Sequence, residues 1–200
     1  RGHLLPSRSD MAVSDIEAVE ILDLLESVGA QPWVAGGWGV DALMERQTRM
    51  HRDLDVMVLA KRLDDALAAL RANGFQVTVD WLPVRVELDD GLRVVDVHPV
   101  HPDGSGGWWQ AAPDDGRYLY PAGSIVGGLI GGHTVRCASP ALQRQVHTGY
   151  PLRLVDEHDI ALLDEMLADA DADADDLEAA GNAAQGPGPW AAGRGIPETL

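Results

Sequence analysis

The chain holds a single cysteine, Cys137, in 200 residues. One cysteine excludes an internal disulfide framework and a cysteine-based zinc site. A reducing, cytoplasmic setting is the expectation. Basic residues are scarce: 15 Lys and Arg face 32 Asp and Glu, for a formal net charge of −17. Nucleic-acid binding needs a basic surface that neutralises phosphates, so no nucleic acid is expected as a partner. The imbalance suits a cationic small molecule instead. Part of it comes from the Asp/Ala run after Leu167, which reads as a solvated stretch without bearing on a site. No apolar run approaches the roughly 20 residues needed to cross a bilayer, so no membrane span is expected. Residues 1–10 lack the apolar core of a signal peptide and read as an extension ahead of Met11. What is present is an apolar fraction of 46%, enough for one core with at most a small appended part.

Ser14-Asp15-Ile16-Glu17 has the form of a capping box and precedes apolar residues at helical spacing up to Gly29. A short apolar strand, Trp33-Val34-Ala35, leads into Gly36-Gly37 and a short helix over 40–45. Residues 53–59 alternate and are rich in Val and Leu, which predicts a strand. Residues 63–72 are amphipathic and stop at Asn73-Gly74, which predicts a helix. A strand over 75–79 and a hairpin over 84–97, turning at Asp89-Asp90-Gly91, complete an order α-β-α-β-α-β-β-β. That order implies an α+β fold, a mixed sheet with helices packed on it. Residues 101–107 read as a loop, 124–132 are ambiguous, and 133–137 form a short strand. Ser139-Pro140 starts a helix that stops near Gly149, and Asp156 caps another. From residue 169 onward, Asp, Ala, Gly and Pro dominate, and the tail reads as disordered.

The densest chemistry lies in residues 33–59. Residues two apart on a strand point the same way, so Asp53 and Asp55 share a face. Two carboxylates held there would repel each other, and one would take up a proton unless a cation joined them. A divalent ion with a preference for oxygen removes that conflict. Gly36 and Gly37, between a strand and a helix, let phosphate approach backbone N–H groups. Together they point to a metal–nucleotide site. His98 and His101 lack the further ligands of a metal pair and read as loop-end residues. Cys137 reads as buried and inert.

Gly36-Gly37-Trp38, Arg49 and Asp53-x-Asp55 resemble the signature of antibiotic nucleotidyltransferases in the polymerase-β-like superfamily. The likeness to lincosamide O-nucleotidyltransferases extends further, in order. It runs through Trp33 to Asp41, His51 to Asp55, Trp81-Leu82-Pro83-x-Arg85-x-Glu87-Leu88, and Asp96-Val97-His98-Pro99. It continues through Val135-Arg136-Cys137, His147-Thr148-Gly149-Tyr150 and Asp159-Ile160. Aminoglycoside 2''-nucleotidyltransferases share less of the middle and end. The resemblance implies the nucleotidyltransferase fold over 13–138, C-terminal helices over 139–168, an extension over 1–12 and a tail over 169–200.

It also implies transfer of AMP from ATP to a hydroxyl of a lincosamide, with a role in resistance. An aminoglycoside or a biosynthetic metabolite is the alternative acceptor. Asp53, Asp55 and Asp96 are the implied catalytic and metal-binding acids, holding Mg²⁺, expected as two ions. Gly36, Gly37, Trp38 and Arg49 are assigned to the nucleotide, with Arg49 neutralising the pyrophosphate and Arg52 ranked behind it. Glu87, Arg85 and His98 are assigned to the acceptor, with Glu87 the rival of Asp96 as general base. A homodimer is a compatible assembly. Two other readings stay open at this point: a metal-dependent glycosyltransferase, and a nucleotide-binding module without turnover.

Overall fold

Ser14 Oγ accepts the Glu17 N–H, and Glu17 answers by accepting the Ser14 N–H at 2.8 Å. This reciprocal cap opens α1 (Asp15–Ser27) as the sequence predicts. The computed structural model describes residues 12–147 and 151–184, with side chains up to residue 173. After α1 come β1 (Trp33–Ala35), α2 (Gly36–Met44), β2 (Asp53–Leu59), a 3-10 turn (Ala60–Arg62) and α3 (Leu63–Ala72). Then follow β3 (Gln76–Trp81), β4 (Arg85–Asp89), β5 (Val94–Pro102), β6 (Trp108–Ala111) and β7 (Arg117–Tyr120). Last are β8 (Ile125–Ile130), β9 (His133–Ala138), α4 (Pro140–Val146) and α5 (Leu154–Ala184).

The strands form one mixed sheet in the order β3-β4-β5-β2-β1-β9-β8, with β6 on β5 and β7 on β6. β2 and β5 run parallel, as do β1 and β9. The period-2 alternation of β2 divides its side chains cleanly. Leu54, Val56 and Val58 join Val86, Leu88, Val95 and Val97 under α1 and α3, against Ile21, Leu25, Leu67 and Leu70. Met57 points the other way, into a second cluster with Trp33, Val100, Tyr120 and Leu142. Each fully buried aliphatic side chain is worth about 1.5–3 kcal/mol. A one-residue slip of β2 would put Asp53 and Asp55 into the first core, so burial holds the register that presents the acids.

Several segments differ from the sequence reading. α2 starts at Gly36, not at residue 40, so both glycines lie in its first turn. β5 continues to Pro102 where a loop is predicted, and β6 and β7 are strands that the sequence pattern does not announce. The ambiguous stretch is strand β8. Gly128 permits close approach of α2: a Cβ there would meet the Ala42 carbonyl oxygen at 2.7 Å. Asp156 is not the cap of α5 but sits in its first turn, accepting the Arg153 N–H at 2.8 Å. α5 runs on to Ala184, whereas the sequence reading begins a disordered tail at 169. The reason is local: residues 169–180 hold no Gly or Pro and several alanines, the strongest helix formers. The extension over 1–11, the stop at Gly149, Tyr150 and the tail from 185 lie outside the described residues.

Candidate active site

The registers of three strands assemble the acids. Ala35 on β1 faces Asp55 on β2, Asp55 faces Asp96 on β5, and Asp96 faces Glu87 on β4. One row therefore crosses four strands and carries three carboxylates in succession. His98, two residues beyond Asp96, points to the same face. Its Nε2 lies 3.6 Å from Asp55 Oδ1 and 3.9 Å from Asp96 Oδ2. One ligand atom each from Asp55, Asp96 and His98 falls within 4.8 Å of the others. Asp53 is outside that cluster and takes the Arg52 guanidinium at 2.7 Å. His98, read from the sequence as a loop-end residue, is thus inside a strand and part of the acidic cluster. The continuation of β5 to Pro102 is the cause.

Arg85 counters the negative charge. Its Nη1 lies 2.5 Å from Asp96 Oδ2 and 3.9 Å from Glu87 Oε2. Glu87 also accepts a hydrogen bond from Thr78 Oγ1 at 2.8 Å. Asp96 Oδ1, by contrast, is buried and has no hydrogen-bond partner. Burial, reinforced by the neighbouring Asp55 and Glu87 charges and opposed by His98 and Arg85, pushes the Asp96 carboxyl up to about 6. Burial also acts to raise Asp55, but the His98 imidazole and the charges of Arg85 and His147 outweigh it and hold Asp55 below the usual range. Two adjacent acids are thereby pushed apart in acidity. An orphaned carboxylate oxygen beside a second carboxylate is the donor set of a hard divalent cation, so these residues fit the metal that a nucleotidyltransferase uses.

The two glycines matter by contact as well as by backbone exposure. Gly36 has φ +57, in the left-handed region, and a Cβ there would collide with the Asp55 carboxylate. A Cβ on Gly37 would collide with Arg49 and His51. The Gly36 carbonyl also accepts from Gln143 Nε2 of α4 at 3.2 Å. The turn is packed from three sides, and only hydrogen atoms fit. α2 has no side-chain cap at Ala35, so its first N–H groups are not taken by a capping side chain.

Two residues assigned to the nucleotide sit differently from that expectation. Trp38 is only 2% exposed and packs its ring on His51, with centroids 4.6 Å apart. Its position on the inner face of α2 makes it a wall of the core and not a stacking surface. Arg49 is engaged bidentately by Asp159 of α5, at 2.8 and 2.5 Å. Asp159 is 1% exposed, and this pair ties the C-terminal helix to the turn. Asp41, also buried, binds His51 Nε2 at 2.5 Å and the Thr48 N–H at 3.0 Å. Gln110 and Gln143 are site-supporting residues that the sequence reading misses, and Asp159 enters it only within the motif resemblance, without a role. They reach the site across 12 to 110 residues, and no local pattern marks such pairs. Cys137 is buried, and burial pushes its thiol up to about 11, which agrees with an inert role.

A mixed sheet bearing this row of acids beside a glycine turn belongs to the nucleotidyltransferase class. Residues 17–163 match the model of the family described as aminoglycoside-2''-adenylyltransferase. A lincosamide resistance protein of Staphylococcus haemolyticus is 33% identical over 149 residues, which span 74% of this chain and 92% of that protein. A 2''-aminoglycoside nucleotidyltransferase of Klebsiella pneumoniae is 31% identical over 112 residues, 54% of this chain and 57% of that one. Among solved structures, the lincomycin-bound lincosamide antibiotic adenylyltransferase LnuA aligns with a TM-score of 0.70 at 32% identity. That match covers 76% of this chain and 98% of that one. The antibiotic-resistance factor ANT(2'')-Ia aligns with a TM-score of 0.61 at 21% identity, over 84% and 96% of the two chains, and bears on the fold alone. The chain belongs to this family of antibiotic nucleotidyltransferases, and the fold and family expected from the motifs are borne out.

Proposed function

We propose that the protein transfers AMP from ATP to a hydroxyl group of a lincosamide, releases pyrophosphate and so confers resistance. The observation that carries this reading is the in-register facing of Asp55 and Asp96 on adjacent parallel strands, with one Asp96 oxygen left unpartnered. The lincosamide as acceptor is supported by similarity to a lincosamide resistance protein along nearly all of that protein's length.

Asp55 and Asp96 would hold Mg²⁺, with Asp53 joining from the same face of β2. When bound, Mg²⁺ supplies charge neutralisation for the triphosphate and for the departing pyrophosphate. The N–H groups at the start of α2 receive phosphate oxygens, and Gly36 and Gly37 keep side chains out of that space. The acceptor oxygen forms a bond to the α-phosphorus while the bond to pyrophosphate breaks. The acceptor proton passes to Asp96 as the general base. Arg85 grips the other Asp96 oxygen and keeps Oδ1 turned toward the reacting groups. Glu87, one strand over, is placed to meet a cationic amine on the acceptor. Both arginines are paired, Arg49 with the buried Asp159 and Arg52 with Asp53, and Arg52, at 64% exposed, is the one more open to pyrophosphate.

Incubation with ATP and Mg²⁺ against a panel of lincosamides and aminoglycosides, followed by mass spectrometry, tests the proposal. A gain of one AMP on lincomycin and none on tobramycin is expected. A gain confined to aminoglycosides would overturn the acceptor, and no gain on any compound would overturn the reaction.

A further inference from the structure

The two strands that the sequence pattern does not announce carry a buried hydrogen-bond chain to the site. Gln110 on β6 faces Val100 of β5, which makes His98 its diagonal neighbour. Gln110 Nε2 lies 3.0 Å from the Val84 carbonyl oxygen and 3.1 Å from His98 Nδ1. Tyr120 of β7 donates its O–H to Gln110 Oε1 at 2.8 Å. Gln110 and Tyr120 are both buried, so water does not rearrange these bonds.

The amide orientation follows from valence. The Val84 carbonyl can only accept, so the Gln110 group facing it must be the NH₂. The amide oxygen then faces Tyr120, whose phenol keeps its proton because burial opposes ionisation. The second N–H of the Gln110 amide points at His98 Nδ1, which must therefore be bare. A neutral imidazole with a bare Nδ1 carries its proton on Nε2. We propose that Gln110, oriented by Val84 and Tyr120, is a positioning residue that fixes His98 as the Nε2–H tautomer, so that His98 faces Asp55 and Asp96 as a hydrogen-bond donor and not as a metal ligand.

The distances agree with that role. At 3.6 and 3.9 Å, Nε2 is too far for a tight hydrogen bond to either carboxylate, so its N–H can also reach a third group placed between them. An oxygen of the acceptor or of the nucleotide phosphate is the chemical class that fits. The carboxylates on their own would favour a doubly protonated ring. A proton on Nδ1 would, however, set N–H against N–H, and turning the amide over would set oxygen against the Val84 oxygen. The network opposes both.

The tautomer is independent of turnover, although its use in AMP transfer rests on the function proposed above. Long-range ¹H–¹⁵N spectra of the metal-free full chain at neutral pH, with His98 assigned by its loss in His98→Asn, read it directly. A bare Nδ1 and a protonated Nε2 are expected, unchanged on addition of Mg²⁺. A protonated Nδ1 in the native protein, or loss of the Nε2 proton on Mg²⁺ addition, overturns the proposal. Gln110→Glu offers Nδ1 an acceptor instead of a donor and is expected to move a proton onto Nδ1; an unchanged His98 spectrum overturns the part given to Gln110. Tyr120→Phe is expected to lower kcat about 10- to 100-fold, in line with outer partners of site residues, with little change in the KM for ATP. Equal kcat in Tyr120→Phe and the native enzyme would remove Tyr120 from the chain. Failure of AMP transfer with the expected spectrum would count against the function and not against the tautomer.

Discussion

Two groups of acids, one half-buried on the sheet and one buried beneath the helices, differ in how they are partnered. On the central sheet, Asp55, Asp96 and Glu87 stand in one row with a shared arginine, and an Asp96 oxygen has no partner at all. Around the helices, Asp41, Asp156 and Asp159 are each matched by a dedicated donor: His51, Arg153 and Arg49. A matched buried acid holds elements together. A row of crowded acids costs stability and is retained for what it binds. Partnership and burial together separate scaffold from site: the matched acids are sealed from solvent, and the row on the sheet stays half-open to it.

The strongest way to break the comparison is to neutralise the row. Asp55→Asn and Asp96→Asn are each expected to lower the rate of pyrophosphate release by at least about 1000-fold, because charge stabilisation is the main contribution in such transfers. The melting temperature of Asp96→Asn should equal or exceed that of the native protein, because burial disfavours its charge, whereas that of Asp55→Asn should fall, because against burial His98 and Arg85 favour the charged form. Asp53→Ala should abolish turnover as well, with the fold intact by circular dichroism; full activity there would remove Asp53 from the metal set. The matched acids should behave in the opposite manner. Asp159→Ala strands Arg49 and is expected to cost about 3 kcal/mol in urea unfolding, with activity falling only as far as the turn loosens.

Gly36→Ala sharpens the contrast from the backbone side. It adds a methyl group where the Asp55 carboxylate lies, at a positive φ that itself costs about 1–2 kcal/mol. A rate loss of about 100-fold is expected, smaller than that of the Asp55 change. A variant with native kinetics would mean that the turn can shift without moving Asp55. The smallest effect concerns pH. The Arg153 hydrogen bond and charge hold Asp156 down at about 2, below its ordinary 3.8. A depressed acid contributes stability above its unfolded value and loses it as pH falls through its folded value. Asp156→Asn should therefore destabilise by about 1–2 kcal/mol at neutral pH, discounted because Arg153 is 71% exposed and screened. The two proteins should converge below about pH 2; a constant gap across the range would show that the pair's charge is not the cause.

Legibility in the sequence followed the range of the interaction. The capping box at Ser14, the strand at 53–59 and the same-face acids rest on spacings of two to four residues and are read without coordinates. Asp96 was reached through a motif resemblance, and the structure sets it opposite Asp55. Trp38 was assigned to the nucleotide through the motif resemblance, and the structure buries its side chain against His51. His98 was placed at a loop end because prolines at 99 and 102 suggest a break, yet β5 pairs through both. The helix beyond residue 168 was missed because acidic composition was weighed above alanine content.

Chain order and local periodicity were sufficient to establish most helices and strands of the N-terminal half, the shared face of Asp53 and Asp55, and the glycine turn, because each depends on neighbours along the backbone. Pairings across the sheet and onto α5 were not: which acids meet, which are neutralised, and which nitrogen of His98 faces them. Those depend on strand register and on contacts between distant segments, and only packing of the two cores selects among the alternatives.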